Sequence, residues 1–319
     1  MPLSIGATQS SPPLWPTAGE LQVWSEDVGT IDATWTDPDG LVWQLSNTSD
    51  EVGYFTTDGI AGTGANPIEI ITDPLARGGE EVRHIRAHPR RITWPLHIWG
   101  DTHLEFITRY RNLRAAFTKT THRRAPGVLR VARPDGVQAA REIECYYEDG
   151  LGGEAGEGWL SANPVLTLYC PDGYWRSTAP IVYRYAYTAG RPFLNPYPSL
   201  SSSRVLGDVT IDNPGEVDTW PSWQLTGPAT AFTATNSQAG GGFTLTHALA
   251  AGETITITIT PNRTTVRGPG GINLAGSLSW PGALLWPLLS GRNEVSLQVA
   301  GADDGTTVTL TFQPRFEGD

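Results

Sequence analysis

The sequence predicts a mainly β protein of two domains. An N-terminal β-sandwich or split barrel carries one α-helix, and a galectin-like jelly-roll β-sandwich follows it. Three observations carry this reading. Only the stretch from Asp101 to Lys119 keeps a helical period, and short alternating segments recur on both sides of it. Gly, Pro and Trp are abundant at 36, 25 and 12 residues, whereas charged residues make up only 17%, the balance of a turn-rich β chain rather than a helical bundle. At 319 residues there is room for about two domains of roughly 150 residues each, with cores that need no crosslinks.

Taken in order, Arg91 to Trp99 alternates with Ile92, Trp94, Leu96 and Ile98 on one face, although Pro95 removes a donor and argues for an edge or a bulge. In the helix, Phe106, Tyr110, Leu113 and Phe117 fall on one narrow stripe, and Thr102 followed by Glu105 has capping-box spacing. Arg109 and Arg114 flank that stripe, where they are solvated or at an interface. Val128 to Arg133, the turn Pro134-Asp135-Gly136 and Val137 to Tyr147 read as a hairpin, Glu148 to Gly158 as a glycine-rich acidic loop, and Pro164 to Cys170 as a returning strand. Arg191 to Ser203 has the Pro and Ser content of a semi-extended linker, which puts the domains at 1–190 and 204–319. Beyond it, Val205 to Asp212, Trp223 to Thr226, Ala231 to Asn236, Glu253 to Thr260, Asn293 to Ala300 and Thr306 to Arg315 are short strands with no helix among them, the pattern of a sandwich.

Charge is segregated. The net charge is −11, yet eleven acids and no base precede Arg77, while thirteen Arg and one Lys lie between Arg77 and Arg141 against five acids. The acidic stretch finds its complement either within the chain or on a neighbouring copy, and both readings predict salt sensitivity. A nucleic-acid surface is disfavoured, because the basic band lacks interleaved exposed aromatics and a recognised binding motif. No apolar run is long enough to span a membrane, and Met1 to Trp15 has no secretory pattern. Cys145 and Cys170 permit one disulfide at most and read as reduced strand cysteines of a protein made in a cytoplasm.

No reactive constellation emerges. His84 and His88 have i, i+4 spacing, but Pro89 follows and the glutamate of a zinc-binding helix is absent, so they read as solvated. The glycines at 59, 62 and 64 and those from Gly268 to Gly271 precede neither a Lys-Ser/Thr pair nor a helix, and read as turns. Glu142 and Glu144 share one face of a strand and are the paired carboxylates a glycosidase needs, yet they are expected to be solvated. Trp220, Trp223, Trp280 and Trp286 fit a sugar-stacking platform, although core tryptophans are the commoner case on a sandwich. Catalytic, cofactor-binding and metal residues are therefore expected to be none.

Two stretches resemble a known family. Arg91-Ile92-Thr93-Trp94-Pro95-Leu96, the helix, the hairpin ending Ile143-Glu144-Cys145, and Leu168-Tyr169-Cys170-Pro171-Asp172-Gly173-Tyr174-Trp175 are similar to the N-terminal domain of siphophage distal tail proteins. Ile211-Asp212-Asn213-Pro214-Gly215 through Trp220-Pro221 to Gly227-Pro228 resembles the opening of their second domain, and the order of these patterns covers most of the chain. Gly173 departs from the family, which often has a second proline there. The Thr-rich, Arg-over-Lys composition is similar to minor tail proteins of phages that infect actinobacteria. The resemblance implies a structural virion protein with no reaction. It implies a ring, usually of six subunits, that joins the tail tube to the baseplate or tip hub around a lumen carrying the tape-measure protein and later DNA. Assembly in the host cytoplasm is expected, as are a neutral or acidic lumen wall and a subunit interface that uses Arg109 and Arg114. A glycan-binding or glycan-cleaving protein with an accessory sandwich is the rival reading, and the two combine if the C-terminal domain touches the host wall.

Overall fold

The computed structural model describes residues 31–46, 52–133, 139–152, 160–187 and 205–319. The predicted Arg191 to Ser203 linker and the Pro134-Asp135-Gly136 turn lie outside them. The N-terminal half comprises β1 (Asp32–Thr36), β2 (Val42–Gln44), β3 (Tyr54–Thr56), β4 (Ile68–Pro74), β5 (Glu80–Ala87), β6 (Arg90–Trp99), helix α1 (His103–Arg123), β7 (Gly127–Ala132), β8 (Arg141–Asp149), β9 (Ser161–Ala162), β10 (Val165–Cys170) and β11 (Trp175–Ser177). Its main sheet runs β2-β1-β7-β8-β10-β6-β3 with antiparallel neighbours, and α1 packs against β6 and β8. The helix buries Phe106, Leu113, Ala116, Phe117 and Thr120 on the stripe the period predicts, and Phe117 stacks on Trp35 with ring centroids 4.6 Å apart.

The helix is capped at its start: the Thr102 hydroxyl accepts from the Glu105 N–H at 3.2 Å, and the Glu105 carboxylate reaches back one residue beyond the cap to accept from the Asp101 N–H at 3.0 Å. It ends at Arg123, beyond the predicted Lys119. Thr120 and Thr121 are poor helix formers. Thr120 is nevertheless wholly buried, donates to Phe117 O at 2.9 Å and accepts the Tyr147 N–H at 3.0 Å, so packing overrides propensity. Pro95 sits in an inner strand rather than at a sheet edge. Its missing N–H falls on the side of β6 that meets a loop: Ala61 bridges Thr93, and the Thr57 N–H reaches Pro95 O, so no strand there asks for the donor.

The C-terminal half comprises β12 (Ile181–Ala186), β13 (Val205–Asn213), β14 (Ser222–Thr226), β15 (Ala229–Asn236), β16 (Gly241–Leu249), β17 (Thr254–Ile259), β18 (Thr264–Arg267), β19 (Gly291–Ala300), β20 (Thr307–Phe312) and β21 (Arg315–Phe316). Two antiparallel sheets, β12-β20-β14-β17-β18 and β13-β19-β15-β16, enclose a core centred on Trp223, whose ring meets Phe232, Phe243 and Trp286 at 5.8, 6.3 and 5.7 Å. Alternation explains the strands: in β17, Ile255, Ile257 and Ile259 point inward and the threonines between them outward. Two strands cross the predicted domain limits. β12 pairs with β20 from Ile181↔Phe312 to Ala186↔Thr307, so the C-terminal sandwich draws on chain that precedes the linker. Conversely, β21 leaves the sandwich and pairs with β11, Trp175↔Phe316 and Arg176↔Arg315.

β4 and β5 form a separate two-stranded sheet. One face carries Ile68, Ile70, Val82 and Ile85, each more than half exposed, and the other carries the Glu69–Arg86 ion pair.

Candidate functional site at the domain junction

The last residues of the chain are built into the joint between the two halves. Arg315 lies between β11 on one side and Val217 on the other, with its carbonyl accepting from the Glu216 N–H at 2.9 Å. Its guanidinium pairs with Asp172, donates to Asp218 O at 3.1 Å and lies 4.6 Å from the Tyr174 ring centroid. Glu317 takes the Asn66 N–H on its carboxylate at 3.0 Å and gives its own N–H to Glu216 at 2.9 Å. Arg141 covers the Phe316 ring at 3.8 Å and donates to Gly318 O, while the Asp319 carboxylate pairs with Arg133.

Arg90 is the buried centre of this joint, only 1% exposed. Its guanidinium donates to four carbonyls from three chain segments: Gly62 O at 2.9 Å, Gly64 O at 2.5 Å, Gly173 O at 2.8 Å and Glu317 O at 2.6 Å. A buried cation without a carboxylate partner is costly, and burial lowers its pKa while Cys170, Glu317 and Asp319 oppose the shift. The four acceptors are what make the placement tolerable, because a planar fork satisfies several fixed carbonyls at once.

Most of the family-motif residues meet here. Asp172 and Tyr174 hold Arg315, and the Trp175 indole N–H donates to Thr63 O at 3.1 Å. Cys170 and Pro171 end the strand that delivers them. Asn213 is fully buried, donates to Val217 O, Leu288 O and Leu289 O, and accepts the Gly215 N–H at 3.0 Å. Gly215 has to be glycine, since a Cβ there would lie 2.6 Å from Arg315 O. A Cβ at Gly173 would meet the Asn66 side chain. Three motif residues lie elsewhere. Arg91 makes an exposed two-pronged pair with Glu148 at 2.7 and 2.9 Å, Pro221 is buried at the start of β14, and Gly227 closes a turn against Ala250 O.

The remaining candidates resolve individually. Glu142 and Glu144 are not a solvated pair; both accept from Arg176 at 2.8 Å, and despite its burial their charge raises the Arg176 pKa. His84 lies on a strand and His88 just beyond it, not on one helix face, and His88 faces Glu69 at 3.7 Å. Among the described residues, no group of three or more potential metal ligands exists and no helix is long and apolar enough to cross a membrane. Trp223 and Trp286 are core residues, Trp220 is half-buried, and Trp280 is 56% exposed, so the four form no exposed row.

Part of the segregated charge is neutralised within the chain. Lys119 reaches Asp37 at 2.7 Å and Asp39 at 3.1 Å, Arg123 reaches Asp39 at 3.0 Å, and Arg86 and Arg83 meet Glu69 and Asp73 across the hairpin. Arg109 is also engaged internally: it donates to Trp99 O at 2.9 Å, pairs with Glu105 at 2.7 Å and lies against Gly53. Arg114 is exposed. The sequence missed Arg90, Arg141 and the segment from Phe316 to Asp319. The doublet Arg90-Arg91 was the one available signal, and it does not reveal which arginine is buried.

Residues 214–316 match the family model described as the siphovirus-type tail component, C-terminal domain. Over nearly its whole length the chain also resembles solved structures. The Dit protein of phage SPP1, described as a paradigm of the hub adsorption apparatus in phages that infect Gram-positive hosts, is 12% identical, with a TM-score of 0.63 over 90% of this chain and 100% of that one. A chain of the phage p2 baseplate in its activated conformation is 10% identical in both its strontium and its calcium form. The TM-scores are 0.52 and 0.53, over 89% and 90% of this chain and 98% of those chains. No curated protein sequence matches. Residues 214–316 therefore carry the siphovirus-type tail component C-terminal domain, and over nearly its whole length the chain has the fold of these tail proteins.

Proposed function

We propose that this chain is the hub ring at the distal end of a siphophage tail, where copies of it, six by the family's habit, join the tail tube to the baseplate or tip around a lumen. The tail tube protein, the tip hub protein and the tape-measure protein are then its neighbours, and DNA passes through without specific binding. The observation that carries the reading is the interdomain joint. Arg90, Asp172, Tyr174 and Gly215 are committed to fixing one domain against the other through Arg315 and Glu317, which is what a load-transmitting part requires.

Self-association has its own support. A two-stranded hairpin is marginally stable by itself in water. The β4–β5 hairpin neutralises its polar face internally through Glu69–Arg86 and Asp73–Arg83 and leaves Ile68, Ile70, Val82 and Ile85 uncovered. A second copy of the chain is the occupant that a head-to-tail ring supplies at every such face. Of the two arginines that flank the helix stripe, Arg114 is the one left to face a neighbour, while Arg109 is engaged within its own domain. The Thr-rich, Arg-over-Lys composition favours a phage of an actinobacterial host. We keep the domains as a ring-forming N-terminal unit and an outward C-terminal sandwich, with β12 lent to the latter. Gold-labelled antibody against the chain, applied to intact particles, should mark the tail end distal to the capsid; label along the whole tail or none on the particle would refute the assignment.

A further inference from the structure

We propose that Cys145 and Cys170 are a covalent cross-linking site, joined as a disulfide between β8 and β10 by a two-electron oxidant such as molecular oxygen. The two sulfurs lie 3.0 Å apart, inside ordinary non-bonded sulfur contact, and both residues are wholly buried. The register runs Leu168↔Tyr147 and Tyr169↔Tyr146, so one step further along each strand Cys170 stands directly opposite Cys145. Facing residues in an antiparallel pair have Cα atoms about 4.5–5.5 Å apart, within the range of about 4.4–6.8 Å that a disulfide spans. The existing strand register is therefore compatible with the bond.

In the step, two S–H bonds break and one S–S bond forms. The two electrons and two protons pass to oxygen, giving hydrogen peroxide. Burial pushes the Cys145 thiol well above its ordinary pKa, and the neighbouring Cys170 sulfur adds to that, so the reaction is slow in the closed protein. The Arg90 guanidinium, whose strand faces Cys170, is the cation available to favour a thiolate once the site opens. The consequence is local. β10 ends at Cys170, and the next five residues, Pro171 to Trp175, carry the groups that grip the C-terminal tail, so the bond would tie the base of the joint to β8. Only the timing rests on the tail reading: a chain assembled in a reducing cytoplasm stays a dithiol and oxidises after release.

The test uses the full chain, purified reduced and incubated natively with diamide, then quenched in acid, denatured and treated with N-ethylmaleimide. Reduced protein should take up two labels and oxidised protein none, with a mass loss of about 2 Da and a monomeric band on a non-reducing gel. The cross-link should raise Tm by about 5–10 °C, and C145S should show no such rise. Two labels per chain after oxidant, or a cross-linked pair of chains in place of the internal bond, would overturn the proposal. Because these readouts are intrachain, they hold whether or not the protein forms rings. Thiols still free in mature particles would count against the timing alone.

Discussion

Replacing Arg90 with alanine removes a side chain that touches all three segments of the joint. Each hydrogen bond from a charged donor contributes about 1.5–3 kcal/mol, and four such bonds summed would overstate the effect, because burying the guanidinium itself costs several kcal/mol. The balance is set by what the substitution leaves behind: the carbonyls of Gly62, Gly64, Gly173 and Glu317 lose their shared donor inside a protein interior. We expect a loss of about 3–5 kcal/mol, the range for breaking a buried, fully bonded charge. For a domain of about 150–250 residues that is a fall in Tm of roughly 6–20 °C, read by calorimetry as the N-terminal transition. Arg90→Lys should restore less than half of it, since an ammonium presents its donors from one point and cannot span four fixed acceptors. Limited proteolysis should at the same time release the segment after Phe312. A fall of under about 1 kcal/mol in Arg90→Ala, with the tail still protected, would refute the reasoning, since that is the range of ordinary surface changes.

Other expectations follow from single contacts. Burial raises the Asp37 pKa, but Lys119, the Leu41 and Asp39 N–H groups and the Trp43 indole outweigh it and hold the carboxyl below its ordinary 3.8. Its contribution to stability is therefore complete at neutral pH and lost as pH falls through the lowered value. Asp37→Asn should flatten the acid limb of a stability–pH curve measured by urea unfolding. Gly215→Ala forces a methyl to 2.6 Å from Arg315 O and should cost about 1–3 kcal/mol, seen as a lower urea midpoint. Ile70→Thr with Ile85→Thr should weaken self-association in sedimentation experiments while shifting monomer stability by under about 1 kcal/mol, because both side chains are already exposed.

The sequence revealed the parts of the molecule that depend on period and local pairing. The α1 stripe, the Thr102–Glu105 cap and the alternation of β17 are written in spacing, and the structure holds them. What it did not reveal depends on distant partners. β12 reads as an isolated polar and aromatic run until β20 lies beside it, and β16, with its glycine start and threonines, gives weak alternation until β15 supplies the register. The candidate site was legible in composition but not in purpose. Asp172, Tyr174 and Gly215 were picked out as motif residues, yet their shared target, Arg315, is more than ninety residues away and has no pattern of its own. The charge segregation was visible but left an internal complement and a neighbouring copy equally open; Lys119 and Arg123 answer Asp37 and Asp39 within the chain, because α1 lies across the sheet that carries them.

The central claim is that copies of this 34.4 kDa chain close into a ring. Native mass measurement of the purified protein across a concentration series tests it most directly. A closed oligomer at a single multiple of the chain mass, six copies by expectation, with a central hole in electron micrographs of the same sample, is the predicted result. A single 34.4 kDa species at every concentration, or open chains of indefinite length, would contradict it.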